Sequence, residues 1–194
     1  MSKIIRSVKG TRDFYPEQMA LRRWLYDHIR SVSERYGYQE WEAPMLETLD
    51  LYAAKSGDEL VKEQAFVFED RGGSLVALRP ELTPSLARMV AQQRQKLHSP
   101  LRWWSFGPFW RYERPQKGRA REFFQWNLDL LGSTSVSADA EVASVAAELF
   151  SSIGLTPDEV TIKVNSRQFM ERRVAEIGIA KEAHSAVFRL IDRV

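Results

Sequence analysis

The sequence predicts an α/β fold, with helix-like and strand-like stretches interleaved along one chain. Two patterns carry that expectation. Residues 17–36 set Leu21, Trp24, Leu25, His28, Ile29, Val32 and Tyr36 at helical spacing. Residues 122–131, EFFQWNLDLL, divide at every second residue instead. Phe124, Trp126, Leu128 and Leu130 are apolar, whereas Phe123, Gln125, Asn127 and Asp129 make a mostly polar row. An ordinary solvated strand face carries Lys, Glu and Thr, so this row asks for a use.

The elements follow in order. Pro16 suits the first turn of the 17–36 helix and Gly37 its stop. Residues 38–43 alternate as a short strand that Pro44 ends. A helical turn or two is expected over 48–55. QAFVFEDRGGSLVALRP reads as a hairpin turning at Asp70-Arg71-Gly72-Gly73. Thr83 and Pro84 are expected as cap and first residue of a helix bearing Leu86, Met89 and Val90. LRWWSFGPFWRYE favours a strand, with an interruption expected at Gly107-Pro108. RPQKGRAR, residues 114–121, is a loop, and the 122–131 strand returns from it to Gly132. A helix over 138–153, capped by Ser137, buries Val142, Val145, Leu149 and Ile153. VTIKV, 160–164, reads as a strand, and Asn165-Ser166 as the cap of a helix to about Ile177. From about 181 another helical register runs to Val194 without cap or polar tail, as if the chain continued.

The totals exclude several classes. Hydrophobic residues are 44%, charged residues 28% and the net charge +2, so any nucleic-acid site must be a local patch. Without cysteine there is no disulfide and no thiolate zinc site. His28, His98 and His184 lack partners at ligand spacing, so no protein-bound metal cluster is expected. The N-terminus has no apolar core of a secretory leader and no window could span a membrane, so a cytoplasmic protein is expected. No repeat, linker or internal domain boundary stands out.

If the strands flanking the 114–121 loop form an antiparallel hairpin, Arg111 and Glu113 share a side with Phe123, Gln125, Asn127 and Asp129. That surface would join an arginine, carboxylates, amides and an aromatic ring, backed by Trp126 and Leu128. It suits a binding floor. The same residues also suit a solvated hairpin, and periodicity alone does not choose.

Four segments in order add a resemblance. RYERPQKGRAREFFQWNLDLLG resembles the second signature motif of class II aminoacyl-tRNA synthetases, and ERYGYQEWEAPML resembles their first. KGTRDFYP and LRPELTPSLAR are similar to segments of the histidyl-tRNA synthetase family. The resemblance runs from about Val8 to the end of the chain. It implies the N-terminal part of a catalytic domain over 1–194, with a mainly antiparallel sheet flanked by helices. It also implies ATP with Mg²⁺, histidine and tRNA(His) as ligands, and a homodimer through residues 38–46.

By that resemblance Arg111 takes the α-phosphate, Glu113 the adenine amino group and Phe123 the adenine ring, and Arg121 is suited to the β- or γ-phosphate. Glu81, Thr83, Gln125 and Asp129 match positions around the substrate histidine. The basic loop Arg114, Lys117, Arg119 and Arg121 suits phosphates of ATP or tRNA alike. The glycine-rich third motif, the second histidine-specific motif and an anticodon-binding domain do not occur in these 194 residues. Two other readings stay open: a synthetase-like regulatory subunit that senses histidine, and a class II synthetase for proline or threonine.

Overall fold

A computed structural model describes residues 4–53 and 64–191. In chain order it contains α1 (Pro16–Arg35), β1 (Gln39–Glu40), β2 (Leu46–Thr48), α2 (Leu49–Ala53), β3 (Phe66–Glu69), β4 (Leu75–Leu78), α3 (Thr83–Gln93), β5 (Leu101–Trp110), β6 (Glu122–Leu131), α4 (Val136–Ser152), α5 (Arg167–Glu176), a 3-10 turn (Lys181–Ala183) and α6 (His184–Ile191). Residues 54 and 55 of the expected helical turn, and Val194, lie outside the described residues. The chain divides into two compact units, one to Gly154 and one from Leu155, where the sequence marks no boundary. No described helix is long and apolar enough to cross a membrane.

The fold is α/β, as the sequence predicts, with mainly antiparallel pairing. One sheet has the order β1-β5-β6 and the other β2-β4-β3. β1 runs parallel to β5, and the remaining pairs are antiparallel. The long hairpin pairs Leu101 with Leu131 at one end and Trp110 with Glu122 at the other. Because side chains alternate along a strand, this register assigns each residue to one of two faces. Trp104, Phe106, Trp126, Leu128 and Leu130 pack with Tyr38, with Ile29 and Val32 of α1, and with Val145 and Leu149 of α4. Trp103, Phe109, Phe123 and Leu131 pack on the other side with Trp41, Ala43, Leu82 and Leu86.

Local chemistry sets the ends of the elements. α1 opens with the side-chain Oε1 of Gln18 accepting the Tyr15 N–H at 3.0 Å, and ends where Gly37, at φ 79°, donates to the Glu34 carbonyl. Its buried contacts begin at Leu25, so Leu21 and Trp24, expected on the same stripe, are exposed. The β3–β4 turn is held by Asp70, whose Oδ1 accepts from the Gly72 and Ser74 N–H groups.

Four expectations need correction. Thr83 is not the cap of α3. Leu82 is already helical at φ −111°, ψ −19°, its carbonyl accepts the Leu86 N–H, and no side chain caps the helix. The cap of α4 is Ser135, not Ser137; its hydroxyl accepts from the Ser137 N–H at 3.2 Å and the helix starts at Val136. Residues 160–164 form no strand. Among the described residues no neighbouring strand pairs with them, and a lone strand is not stable. The fourth correction is at Gly107-Pro108, where β5 runs on unbroken.

That continuity has a cause in the backbone. The Trp104 carbonyl accepts from the Trp41 N–H, the Pro108 carbonyl accepts from Arg79 Nε, and the Trp110 N–H donates to the Arg79 carbonyl. All three groups lie on the edge of β5 that β6 does not use. Proline's missing N–H therefore loses no ladder bond. Gly107 is required because a Cβ there would overlap the Arg79 Nη2. Arg79 is fully buried; it also pairs with Glu42 and donates to the Ala43 carbonyl at 3.0 Å. One guanidinium thus ties the end of the β4 sheet to β5 and to the chain after β1.

Candidate active site

The site begins where the β5–β6 ladder ends. Arg111 lies one residue beyond β5, and its N–H donates to the Arg121 carbonyl at 2.9 Å, extending the pairing one step. Its Nε donates to the Pro80 carbonyl at 3.1 Å, which aims the guanidinium across the Phe123 ring, 5.2 Å from the centroid. Phe123 stacks its ring at 5.9 Å on Phe109, so packing fixes its orientation. Glu113 follows a tight backbone contact, its N–H donating to the Arg111 carbonyl at 2.8 Å, and its carboxylate pairs with Arg119 at 3.1 Å.

Together Arg111, Glu113 and Phe123 line a hollow of about 180 Å³ with Gly118, Arg119 and Ala120 of the loop. Arg121 stands beside it, donating from Nε to the Glu113 carbonyl at 3.2 Å and lying over Tyr112, 4.1 Å from the ring centroid. A rigid ring, a bidentate cation and a carboxylate in one small concavity can hold a planar base and orient a phosphate.

The amino-acid end is arranged differently. Gln125, Asn127 and Asp129 share the face of Phe123, opposite Gly107, Ser105 and Trp103. At about 6.6 Å for every second residue, the row from Phe123 to Asp129 is roughly 20 Å long. All three are half-buried. The Asn127 Nδ2 is buried without a protein partner, an expensive state for an amide donor. Burial pushes the Asp129 carboxyl up to about 6. Glu81 is half-buried and engaged within the protein. Thr83 is exposed on a separate groove of about 470 Å³ with Leu131 and Gly132. Gln125, Asp129, Glu81 and Thr83 do not line the hollow at Arg111. Among the described residues no three His, Asp or Glu side chains converge as a metal site would need.

The comparisons with known proteins bear on this geometry. A family model described as histidyl-tRNA synthetase matches residues 10–194. The chain belongs to the histidyl-tRNA synthetase family. It is 46% identical over 186 residues to the chloroplastic/mitochondrial histidine–tRNA ligase of Arabidopsis thaliana, a match covering 96% of this chain and 38% of that protein. It is 49% identical over 164 residues to the histidine–tRNA ligase of Haloarcula marismortui, covering 84% and 38%. The crystal structure of histidyl-tRNA synthetase from Nostoc sp. PCC 7120 shares the fold at a TM-score of 0.82 with 24% identity, covering 98% of this chain and 44% of that one. The chain therefore spans about two fifths of the length of the curated relatives it matches.

In this member of the histidyl-tRNA synthetase family, Arg111, Glu113 and Phe123, singled out in the sequence, line one hollow, and two residues that support it were not foreseen. Arg79 stands in LRPELTPSLAR, two residues before Glu81; its signal is Gly107, a glycine in a strand interior that marks close approach. Gly10, in KGTRDFYP, accepts the N–H groups of Arg121 and Glu122 at 2.9 and 3.0 Å. Its signal was a glycine–threonine turn ahead of the first helix.

Proposed function

We propose that this chain supplies the nucleotide end, and part of the amino-acid end, of a histidine–tRNA ligase catalytic site. The reaction is the attack of the histidine carboxylate on the α-phosphate of ATP with loss of pyrophosphate, followed by transfer to tRNA(His). The observation that carries the reading is the hollow at the end of the hairpin, with Arg111 across Phe123 and Glu113 at its rim.

Each residue has a task that its chemistry permits. The attacking carboxylate is ionised at neutral pH, so no general base is required. The protein aligns the reactants and stabilises charge on the phosphoryl group. Arg111, held at Nε by Pro80, keeps its terminal nitrogens for two phosphoryl oxygens. Phe123 presents a fixed ring to adenine, and Glu113 accepts from the adenine amino group once Arg119 yields. Arg121 takes the β- or γ-phosphate. Gln125 and Asp129 meet the ammonium or the imidazole of histidine, and Glu81 and Thr83 meet the ammonium. Mg²⁺ would arrive bound to the triphosphate, as part of the substrate, and would neutralise charge there.

The third motif is not among these residues, so we propose that this chain alone binds ATP weakly and does not charge tRNA. We also propose a cytoplasmic setting and a dimer through residues 38–46. Retention of Arg111, Glu113 and Phe123 around one hollow favours the ligase over a histidine-sensing subunit that has lost nucleotide binding. Histidine-dependent ATP–pyrophosphate exchange tests the reading on two counts. The chain alone should show none above background, and addition of Glu113→Ala to an exchanging form should abolish most of its turnover. Robust exchange by residues 1–194, or an undiminished Glu113→Ala enzyme, would overturn it.

A further inference from the structure

The nucleotide end of the site depends on a residue far from it in sequence. Residues 8–11 form a turn, with the Thr11 N–H and hydroxyl both donating to the Val8 carbonyl at 2.9 and 2.7 Å. Gly10, third in that turn, has φ 87°, a region that side chains avoid. Its carbonyl accepts the N–H groups of Arg121, the last residue of the loop, and of Glu122, the first of β6. The Arg121 carbonyl in turn accepts the Arg111 N–H. A line of backbone hydrogen bonds therefore crosses from Gly10 through Arg121 to Arg111, the two arginines assigned to phosphates.

A side chain at position 10 would break this arrangement. An added Cβ would stand 2.8 Å from the Arg121 Cγ and 2.9 Å from its Cβ. Those atoms are at the root of the side chain, where swinging a flexible end away gives no relief. The Arg121 guanidinium is placed by this root, over Tyr112 and against the Glu113 carbonyl. None of residues 8–11 belongs to either core cluster, so the contact serves the end of the hairpin and not the packing of the domain.

We propose that Gly10 is a positioning residue for ATP phosphates: the turn of the N-terminal segment sets the stem of the 114–121 loop and with it Arg121 and Arg111. The inference rests on the nucleotide reading of the hollow. It separates two halves of one ligand. Adenosine touches the Phe123 ring and Glu113, while the phosphates need the two arginines that Gly10 aligns.

The test is a titration of this chain with Mg·ATP and with adenosine, followed by NMR at Phe123 and Arg111. Gly10→Ala should raise the half-saturating Mg·ATP concentration about fivefold or more, the scale of weakened positioning hydrogen bonds, and leave that of adenosine unchanged. Amide exchange at Arg121 and Glu122 should quicken while Ser105 and Asn127, paired within the ladder, keep their protection. A chain shortened to begin at Thr11 removes the same bonds without adding a Cβ, and should behave alike. Unchanged ATP binding in both variants overturns the proposal. So does an equal loss of ATP and adenosine, or loss of protection at Ser105 and Asn127, which would mark a general structural role. An unaltered chain that responds to neither ligand instead defeats the nucleotide reading itself.

Discussion

The two faces of the β5–β6 hairpin are built from the same strands and serve opposite ends. On one face Trp104, Phe106, Trp126, Leu128 and Leu130 meet α1 and α4 and close into a core. On the other, Phe123 packs on Phe109 at one end of a row whose remaining members are Gln125, Asn127 and Asp129. Both faces hold donors without a protein partner: the indole nitrogens of Trp104 and Trp126 on the first, the Asn127 amide on the second. The difference lies in their neighbours. The indoles are embedded among apolar rings that gain from burial, whereas the amide sits between another amide and a carboxyl whose ionisation burial opposes. Packing sets the first face; the second holds polar groups in readiness at some expense of stability, as binding sites do.

The comparison breaks most visibly at Trp104. Trp104→Ala should destabilise the chain by about 3–5 kcal/mol, read by chemical denaturation, because the cavity lies in the closed face. Arg111→Ala should do the reverse. Its loss should weaken Mg·ATP by about 1.5–3 kcal/mol in calorimetric titration, the range of hydrogen bonds to charged groups, with stability changed by no more than about 1 kcal/mol. A large loss of stability there would place Arg111 in the core and not in a site.

Asp129 sharpens the contrast through pH. Its carboxyl is raised by burial from an ordinary 3.8 to about 6, so the folded chain prefers it protonated. Its contribution to stability is full below pH 4 and falls as pH rises from about 4 to 6, levelling off above that. Solvent still reaches this half-buried group, which limits the loss to about 1 kcal/mol. Asp129→Asn should flatten that part of the stability curve, and added histidine should shift it only in the unaltered chain. The smallest effect is expected at Thr83. Since it caps nothing, Thr83→Ala should leave the unfolding free energy within about 0.5 kcal/mol of the parent, read by chemical denaturation, while weakening histidine binding. A cap would have cost about 1 kcal/mol, as Ser135→Ala should.

Much of this was legible from residue spacing. The alternation in EFFQWNLDLL fixed which side chains share a face, because a strand has a period of two whatever surrounds it. The same holds for α4, where Val145 and Leu149 are buried as their spacing demands. Helix starts were less legible. Serine and threonine at the head of an apolar run invite a cap, yet the geometry of the preceding residue decides which one serves, and Leu82 holds the cap position of α3, leaving Thr83 as its first residue. The strand expected at 160–164 failed for a different reason. A strand needs an edge to pair with, and sequence pattern does not say whether one is present.

The amino-acid order by itself therefore determined the periodic elements, the polar row and the charged loop, since each depends on neighbours within a turn or two. Only the tertiary structure decided the hairpin register, the passage of β5 through Gly107 and Pro108, and the anchoring of Arg111 and Arg121. The last two rest on Arg79, 28 positions before Gly107, on Pro80, 31 before Arg111, and on Gly10, 111 before Arg121, whose partners are chosen by how distant segments approach in space and not by local propensity.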